Sequence, residues 1–337
     1  MENTYIGAID RIALHKVGNK GNEEVLITTE HLLNTSEANQ KLLSAYFLYP
    51  FKFNNLFNFQ HESDLSLNEV FAFASRIFES KDCFLEQSTF LARHLYDCSN
   101  HPNIKGGEFF VVYFEDCILD GKNTQALGLF KAEQKDTFLK ILFDEKAFDI
   151  DSEIGLNLQK LDKGCLIFNL EKEDGFVVAV VDQTNKAAEA RYWFDEFLGL
   201  TERKDHHYQT QHALTMCKNF ISNELPVHFE VSKVDQVDLL NKSAKFFKEK
   251  EVFNLHDYAQ EVIAQPDLID HFNDFKSDFQ KNREMAFDDQ FEISEFTLSK
   301  KAKVFKSVLK LDKNFHVYIH GNANLIEQGT ENDGRKF

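Results

Sequence analysis

Proline is scarce in this chain, at 4 of 337 residues, which excludes proline-rich linkers and polyproline segments. Cysteine is scarce too. Cys83, Cys98, Cys117, Cys165 and Cys217 are scattered, odd in number, and contain no CxxC pair. Neither a disulfide framework nor a zinc ribbon is expected, and reduced thiols in the cytoplasm are the simplest reading. No apolar run approaches the ~20 residues that a spanning helix needs, and the first five residues lack the basic patch and apolar core of a secretory signal. No GxGxxG, Walker A, GxSxG or HExxH pattern occurs, so the common phosphate-loop, serine-hydrolase and zinc-protease signatures are missing.

Phenylalanine, by contrast, is abundant at 35 residues, with 43% hydrophobic and 28% charged residues overall. This describes a soluble globular chain with an aromatic-rich core, long enough for about two domains. The formal net charge is -17, unevenly spread. Residues 1–200 hold 19 basic and 32 acidic side chains, net -13, whereas residues 201–337 hold 19 and 23, net -4. Within the second part, Glu295–His320 runs the other way: Lys300, Lys301, Lys303, Lys306, Lys310 and Lys313 oppose Glu295 and Asp312, net +4. An acidic body with one basic segment repels nucleic acid over most of its surface, so any DNA contact should be local and oriented.

The pattern predicts strands at Ile6–Lys16 and Glu24–Thr28. A helix follows, carrying Leu67, Val70, Phe71, Ala74 and Phe78 with Ser66 and Glu69 as its capping pair, and then a second helix through Phe90–Leu95. The middle reads as β. Glu108–Leu119 and Thr124–Ala132 flank the turn Asp120-Gly121, and Gly164–Leu170 and Phe176–Asp182 flank Glu173-Asp174-Gly175. Phe109–Phe114 and Val177–Val181 are continuous apolar runs, as expected of strands buried on both faces. Ala190–Gly199 predicts an amphipathic packing helix with Ala190, Trp193, Phe194, Phe197 and Leu198 on one stripe and Gly199 as a left-handed stop. The polar run 201–207 marks a domain boundary. Beyond it lie helical stripes, one opened by Ser232 and Asp235, one by Asn254 and one near Pro266. Strands are expected at Phe291–Leu298, Val304–Leu311 and Phe315–His320. Asp333-Gly334 reads as a turn into a final strand cut short at Phe337.

The class is therefore α+β: a mostly antiparallel sheet with packed helices over 1–200, then a helical region closing with C-terminal strands over 201–337.

Several constellations invite chemistry and do not sustain it. Glu133 and Lys135, downstream of Asp116 and Asp120, spell a metal-nuclease pattern. The hairpin at Asp120-Gly121, however, sets Glu133 about 20 Å from Asp116 at ~3.3 Å per residue. His206, His207 and His212 cluster at the boundary, and His316 and His320 share a strand face, but no local set of three or four ligands forms, so no metal is expected. Asp144, Glu145, Asp149, Asp151 and Glu153 lack the spacing of a calcium loop and read as a solvated acidic edge. The lysines near the C-terminus suit phosphate contacts that hold position without reading sequence. A lysine-guarded edge strand explains them equally well.

Taken in order, Ile9–His15, Gly107–Tyr113, the paired strands through Asp182, and Ala190–Gly199 resemble segments of the bacterial nucleoid-associated proteins of the YejK/NdpA type. Residues 254–279 and 307–321 fit more loosely, so the resemblance spans most of the chain. It implies a cytoplasmic protein associated with the nucleoid, able to bind nucleic acid and connected with type II topoisomerases, and it brings no catalytic residue. With the residue reading, the expectation is a non-enzymatic protein that binds DNA weakly and without strong sequence preference, with no cofactor and no membrane attachment. The resemblance carries over no DNA-contact residue. Lys300, Lys301, Lys303, Lys306, Lys310 and Lys313 are assigned that role on charge alone.

Overall fold

The computed structural model of the protein describes residues 4–53, 55–144, 147–183, 192–283, 285–301, 308–310 and 316–318. The chain divides into two compact units, Met1–Arg203 and Lys204–Phe337.

The first unit contains, in order, β1 (Ile9–Val17), β2 (Leu26–Ile27), α1 (Glu37–Leu48), β3 (Phe57–Phe59), α2 (Glu69–Glu79), α3 (Phe84–Cys98), β4 (Gly107–Leu119), β5 (Lys122–Ala132), β6 (Asp136–Asp144), β7 (Ala147–Gly155), β8 (Lys163–Phe168), β9 (Val177–Asp182) and β10 (Leu200–Glu202). An antiparallel sheet of eight strands runs β10-β3-β9-β8-β5-β4-β1-β2. Asp120 and Gly121 close the β4–β5 hairpin with φ of 49° and 76°, the left-handed pair that a tight hairpin turn requires.

The apolar runs are buried on both faces, as their composition predicts. Phe109, Val111 and Tyr113 of β4 face a core shared with α2, α3 and Trp193. Phe110, Val112 and Phe114 face an opposite core with Tyr46 and Phe47 of α1. The Phe47 ring stacks on Phe130 at 4.2 Å and 7°, which ties α1 to the sheet through parallel ring faces.

Two local expectations change. The cap of α2 is Asn68 rather than a Ser66/Glu69 pair. Its Oδ1 accepts the Phe71 N–H at 2.9 Å while its Nδ2 donates to the carbonyls of Gln60, Leu198 and Gly199 at 3.1, 2.9 and 3.2 Å. Ser66 is engaged in the preceding turn, where its hydroxyl donates to Asp64 Oδ1 at 2.5 Å. The packing helix expected over Ala190–Gly199 is wound as a π-helix over Tyr192–Leu198 and buries Tyr192, Trp193, Phe197 and Leu198, with Phe194 half-buried. Gly199 follows at φ 60°, the left-handed stop that its sequence position predicts. Ala190 and Arg191 lie outside the described residues.

The ribbon β6–β7 is the element least visible in the sequence. Its register runs from Asp136↔Gly155 to Asp144↔Ala147. The carboxylates of Asp149, Asp151 and Glu153 are exposed, as a solvated acidic edge should be, and they occupy one face of a hairpin. Their density hides the alternate apolar positions when the stretch is read for acidity alone.

The second unit contains α4 (His206–Asn219), α5 (Leu225–His228), α6 (Lys233–Glu249), β11 (Val252–Asn254), α7 (Leu255–Tyr258), α8 (Pro266–Asn282), β12 (Gln290–Glu292), α9 (Glu295–Lys301), β13 (Val308–Lys310) and β14 (His316–Tyr318). Its core gathers Phe220, Phe246, Phe247, Phe253, Tyr258 and Phe272. The Ser232/Asp235 pair is a full capping box for α6, Asn254 caps α7, and Pro266 occupies the first turn of α8, all as read from sequence. The strand expected over Phe291–Leu298 is corrected: only Gln290–Glu292 is extended, and α9 takes over. Ser294 supplies the reason, because its Oγ accepts the Thr297 N–H at 3.1 Å and starts a helix where period-two alternation predicts a strand. Of the last two expected strands, the described parts pair as β13 and β14, Val308↔Tyr318 to Lys310↔His316. His320 and the turn at Asp333-Gly334 lie outside the described residues.

One buried imidazole gives the first unit a pH dependence. His15 is 2% exposed. Its Nε2–H donates to Ser88 Oγ at 3.1 Å, and its Nδ1 accepts the Thr29 N–H at 3.2 Å. This pattern satisfies the neutral ring only, and burial lowers its pKa from 6.5 to about 4. The unfolded chain takes up the proton near pH 6.5, whereas the folded chain refuses it until about pH 4. The contribution of His15 to stability is therefore complete above pH 6.5 and is lost as pH falls through this window, on the order of 3 kcal/mol. Urea unfolding followed by the emission of Trp193, the only tryptophan, should show this slope, and His15→Asn should flatten it.

Candidate nucleic-acid interface and the buried polar clusters

The basic segment begins on a well-anchored helix. Ser294 Oγ lies 2.6 Å from His207 Nδ1, which is also 3.2 Å from Thr297 Oγ1, and the Ser294 N–H donates to Thr210 Oγ1 at 2.9 Å. This largely buried polar knot fixes the start of α9 to α4. Three residues beyond Thr297 the helix ends in Lys300 and Lys301, both exposed, where cations suit the negative end of the helix dipole. Lys300 Nζ lies 4.3 Å above the Phe296 ring, held by the attraction of an ammonium to an aromatic face. His207 is thus a structural link between helices, and its position in the boundary cluster is explained by packing.

Lys310 stands on β13. Lys303, Lys306 and Lys313 lie outside the described residues. The strand β13 neighbours α6, where two of the four exposed lysines are matched by acids on the same helix. Lys242 pairs with Asp238 at 2.8 Å, and Lys245 with Glu249 at 4.0 Å. Such helix-surface pairs are worth only tenths of a kcal/mol, but they leave α6 near neutrality. The positive excess in this part of the chain therefore belongs to the terminal lysines rather than to the helix beside them.

A second polar constellation, unexpected from sequence, lies where β5 ends and β8 begins in the first unit. Lys131 and Lys163 are 0% and 2% exposed. Lys131 Nζ donates to the Lys105 carbonyl at 2.7 Å and lies 3.2 Å from both Tyr192 Oη and Glu133 Oε1. Tyr192 Oη in turn donates to Glu133 Oε1 at 3.0 Å. Lys163 Nζ meets both carboxylate oxygens of Asp182 at 2.9 Å. The two ammonium groups sit 5.4 and 5.1 Å from the centre of the Tyr192 ring. Asp162 completes the set: its Oδ2 accepts the N–H groups of Glu133 and Gln134 at 2.6 and 3.0 Å, and its Oδ1 accepts from Gln134 Nε2 at 3.0 Å.

Burial works against the Lys131 charge and lowers its pKa, opposed by Glu133. Burial also raises that of Tyr192, with Glu133 adding to the shift. Each of these groups has a partner, and the arrangement is a clamp on the backbone. Glu133 belongs to this clamp and not to a metal pair with Asp116, which sits at the bulge between Phe114 and Cys117, toward the other end of the β4–β5 pair from Glu133.

In the second unit Glu224 Oε1 lies 3.1 Å from the Nε2 atoms of both His228 and His271. Among the described residues, it is these three whose donor atoms converge closely enough, within 4.8 Å, to hold a divalent cation. Glu224 ends a π-helical turn, Phe220–Glu224, that runs directly into α5. The sequence signal is a glutamate and a histidine four apart, with the second histidine 43 positions further on the long helix α8; nothing local joins them. His228 is exposed, and among the described residues no fourth side-chain ligand completes the group. As it stands, the carboxylate bridges two imidazoles and ties α5 to α8.

Comparison with known proteins adds kinship. A family model described as nucleoid-associated protein YejK matches residues 13–336, nearly the whole chain. No curated protein matches it.

The buried clamp makes a separate prediction. Lys131→Ala leaves the Glu133 carboxylate, 5% exposed, without its cation and should cost about 3–5 kcal/mol. The double change Lys131→Met with Glu133→Leu should recover most of that loss, since no buried charge is then left alone. Urea titration read by Trp193 fluorescence checks both.

Proposed function

The chain belongs to the nucleoid-associated protein YejK family, and on that footing we propose that it is a non-enzymatic protein of the bacterial nucleoid that binds DNA weakly and without sequence preference. The contacts we assign are Lys300, Lys301, Lys303, Lys306, Lys310 and Lys313. The family match over residues 13–336 carries the reading. The choice of lysines is supported by the local excess of +4 over Glu295–His320 in a chain of net charge -17. Exposure of Lys300 and Lys301 at the end of an anchored helix fits the same role. Ammonium groups meet phosphates as point charges, so such contacts bind the duplex backbone and do not discriminate bases. The acidic remainder then limits the footprint and orients the protein with its C-terminal segment toward DNA.

A second reading rests on the net -13 of residues 1–200: the acidic unit docks a basic surface of a DNA-handling enzyme, such as a type II topoisomerase, and reaches DNA through it. Co-purification with such an enzyme that vanishes on nuclease treatment would count against it.

Fluorescence anisotropy of a labelled duplex across a salt series tests the direct reading. Affinity should fall steeply with salt. Changing Lys300, Lys301, Lys303 and Lys306 together to glutamine should weaken binding equally for unrelated sequences. It should also reduce the log–log salt slope by ~1 for each phosphate that is no longer neutralised. Absence of binding at low salt, or an unchanged slope in the variant, would overturn it.

A further inference from the structure

The strands β6 and β7 pair only with each other among the described residues. Directly opposed residues of an antiparallel pair share a face. One face of the ribbon therefore carries Thr137/Ile154, Leu139/Ser152, Ile141/Ile150 and Phe143/Phe148, with no charged side chain. Its large residues lie open: Leu139 is 74% exposed, Ile141 71%, Phe143 64%, Phe148 77%, Ile150 65% and Ile154 74%. The reverse face carries the charges, with Lys140 paired to Glu153 at 2.8 Å and Asp149 and Asp151 beside them.

The root of this ribbon is held firmly. Asp162 grips the two backbone amides and the side chain through which β5 passes into β6. Asp136 accepts from Asn157 Nδ2 and Lys160 Nζ at 2.7 and 3.0 Å. An apolar surface on a fixed arm is a presented surface. A patch of more than a few hundred Å² marks an interaction site. Scaling these six exposures by roughly 150–200 Å² for a fully open large side chain gives on the order of 600–800 Å², close to the ~800 Å² per partner of a standard stable interface.

We propose that this face is buried against the same face of a second copy of the chain, so that two ribbons stack as a four-stranded sandwich about a twofold axis. The chemistry of the two faces selects that occupant. The open face has no charge with which to recognise a nucleic acid or a basic partner, and a patch of Leu, Ile and Phe is its own complement under twofold symmetry. Stacking face to face at ~10 Å turns both charged faces outward, so the acidic side chains of the two copies do not meet. The same acidic reverse face works against contact with an anionic lipid surface.

Self-association through the ribbon is independent of the DNA reading and is tested without DNA. Sedimentation velocity of the full chain at micromolar concentration should give twice the 39.1 kDa chain mass. Ile141→Asp with Phe148→Asp should weaken association by ~100-fold or more and yield monomer. Circular dichroism and Trp193 emission should stay unchanged, because both positions are exposed in the monomer. Asp149→Ser with Glu153→Ser, on the reverse face, should leave the dimer intact. Ile141→Cys, near the centre of the stack, should give a disulfide-linked dimer on mild oxidation beyond the background of the wild-type cysteines. A monomeric wild type would overturn the proposal. So would a dimer indifferent to the Ile141 and Phe148 changes, or a monomer that uses this face to bind phosphatidylcholine vesicles.

Discussion

Where β5 leaves the sheet, a single carboxylate decides the course of the chain. Asp162 takes the N–H groups of Glu133 and Gln134, groups that would otherwise need ladder partners or water. Around it, Lys131, Glu133 and Tyr192 bind one another and Lys163 binds Asp182, largely away from solvent. Charge buried in this way contributes little net stability but penalises every arrangement that separates the partners. Tyr192 lies in the π-helical segment, Lys131 and Lys163 at paired positions of β5 and β8, and Asp182 opposite Lys163 on β9. The clamp thus fixes one end of three central strands, the seat of the Trp193 segment and the direction of the projecting ribbon together.

The sequence reveals these elements unequally, for physical reasons. The Asp120-Gly121 hairpin, the doubly buried runs, the Ser232/Asp235 box and the left-handed Gly199 are written in local chemistry, and the fold carries each one. The ribbon is obscured because its acidic residues dominate composition while its apolar residues occupy only alternate positions. The strand predicted over Phe291–Leu298 gives way to a helix because one serine caps α9. The buried clamp has no local sign at all. Lys131 and Tyr192 are 61 residues apart, and a lone lysine in a strand reads as an exposed one. Of the lysines assigned to DNA, charge statistics mark the segment, but the anchoring of α9 through His207, Ser294 and Thr297 depends on residues 87 and 90 positions apart.

Charge and hydrophobicity divide the labour in this molecule by region. Residues 1–200 carry net -13, the open face of the ribbon carries no charge, and Glu295–His320 carries net +4. Surfaces of this kind favour distinct partners: the uncharged face suits a like surface, and the lysines suit a polyanion. On the proposed readings, such separation would let self-association and DNA attachment be altered independently by substitution.

The position of β3 in the sheet has a consequence for synthesis. β3 is bordered by β9 and β10, with Phe57 opposite Val178 and Phe59 opposite Leu200. Both neighbours are made more than a hundred residues later. At ~5–20 residues per second, a ribosome needs roughly 7–28 s to pass from Phe59 to Leu200. Throughout that interval the Phe57–Phe59 segment has no strand to join, and the first unit cannot close. The sheet becomes complete only when β10 emerges, so synthesis sets a lower bound on the time the first unit takes to close.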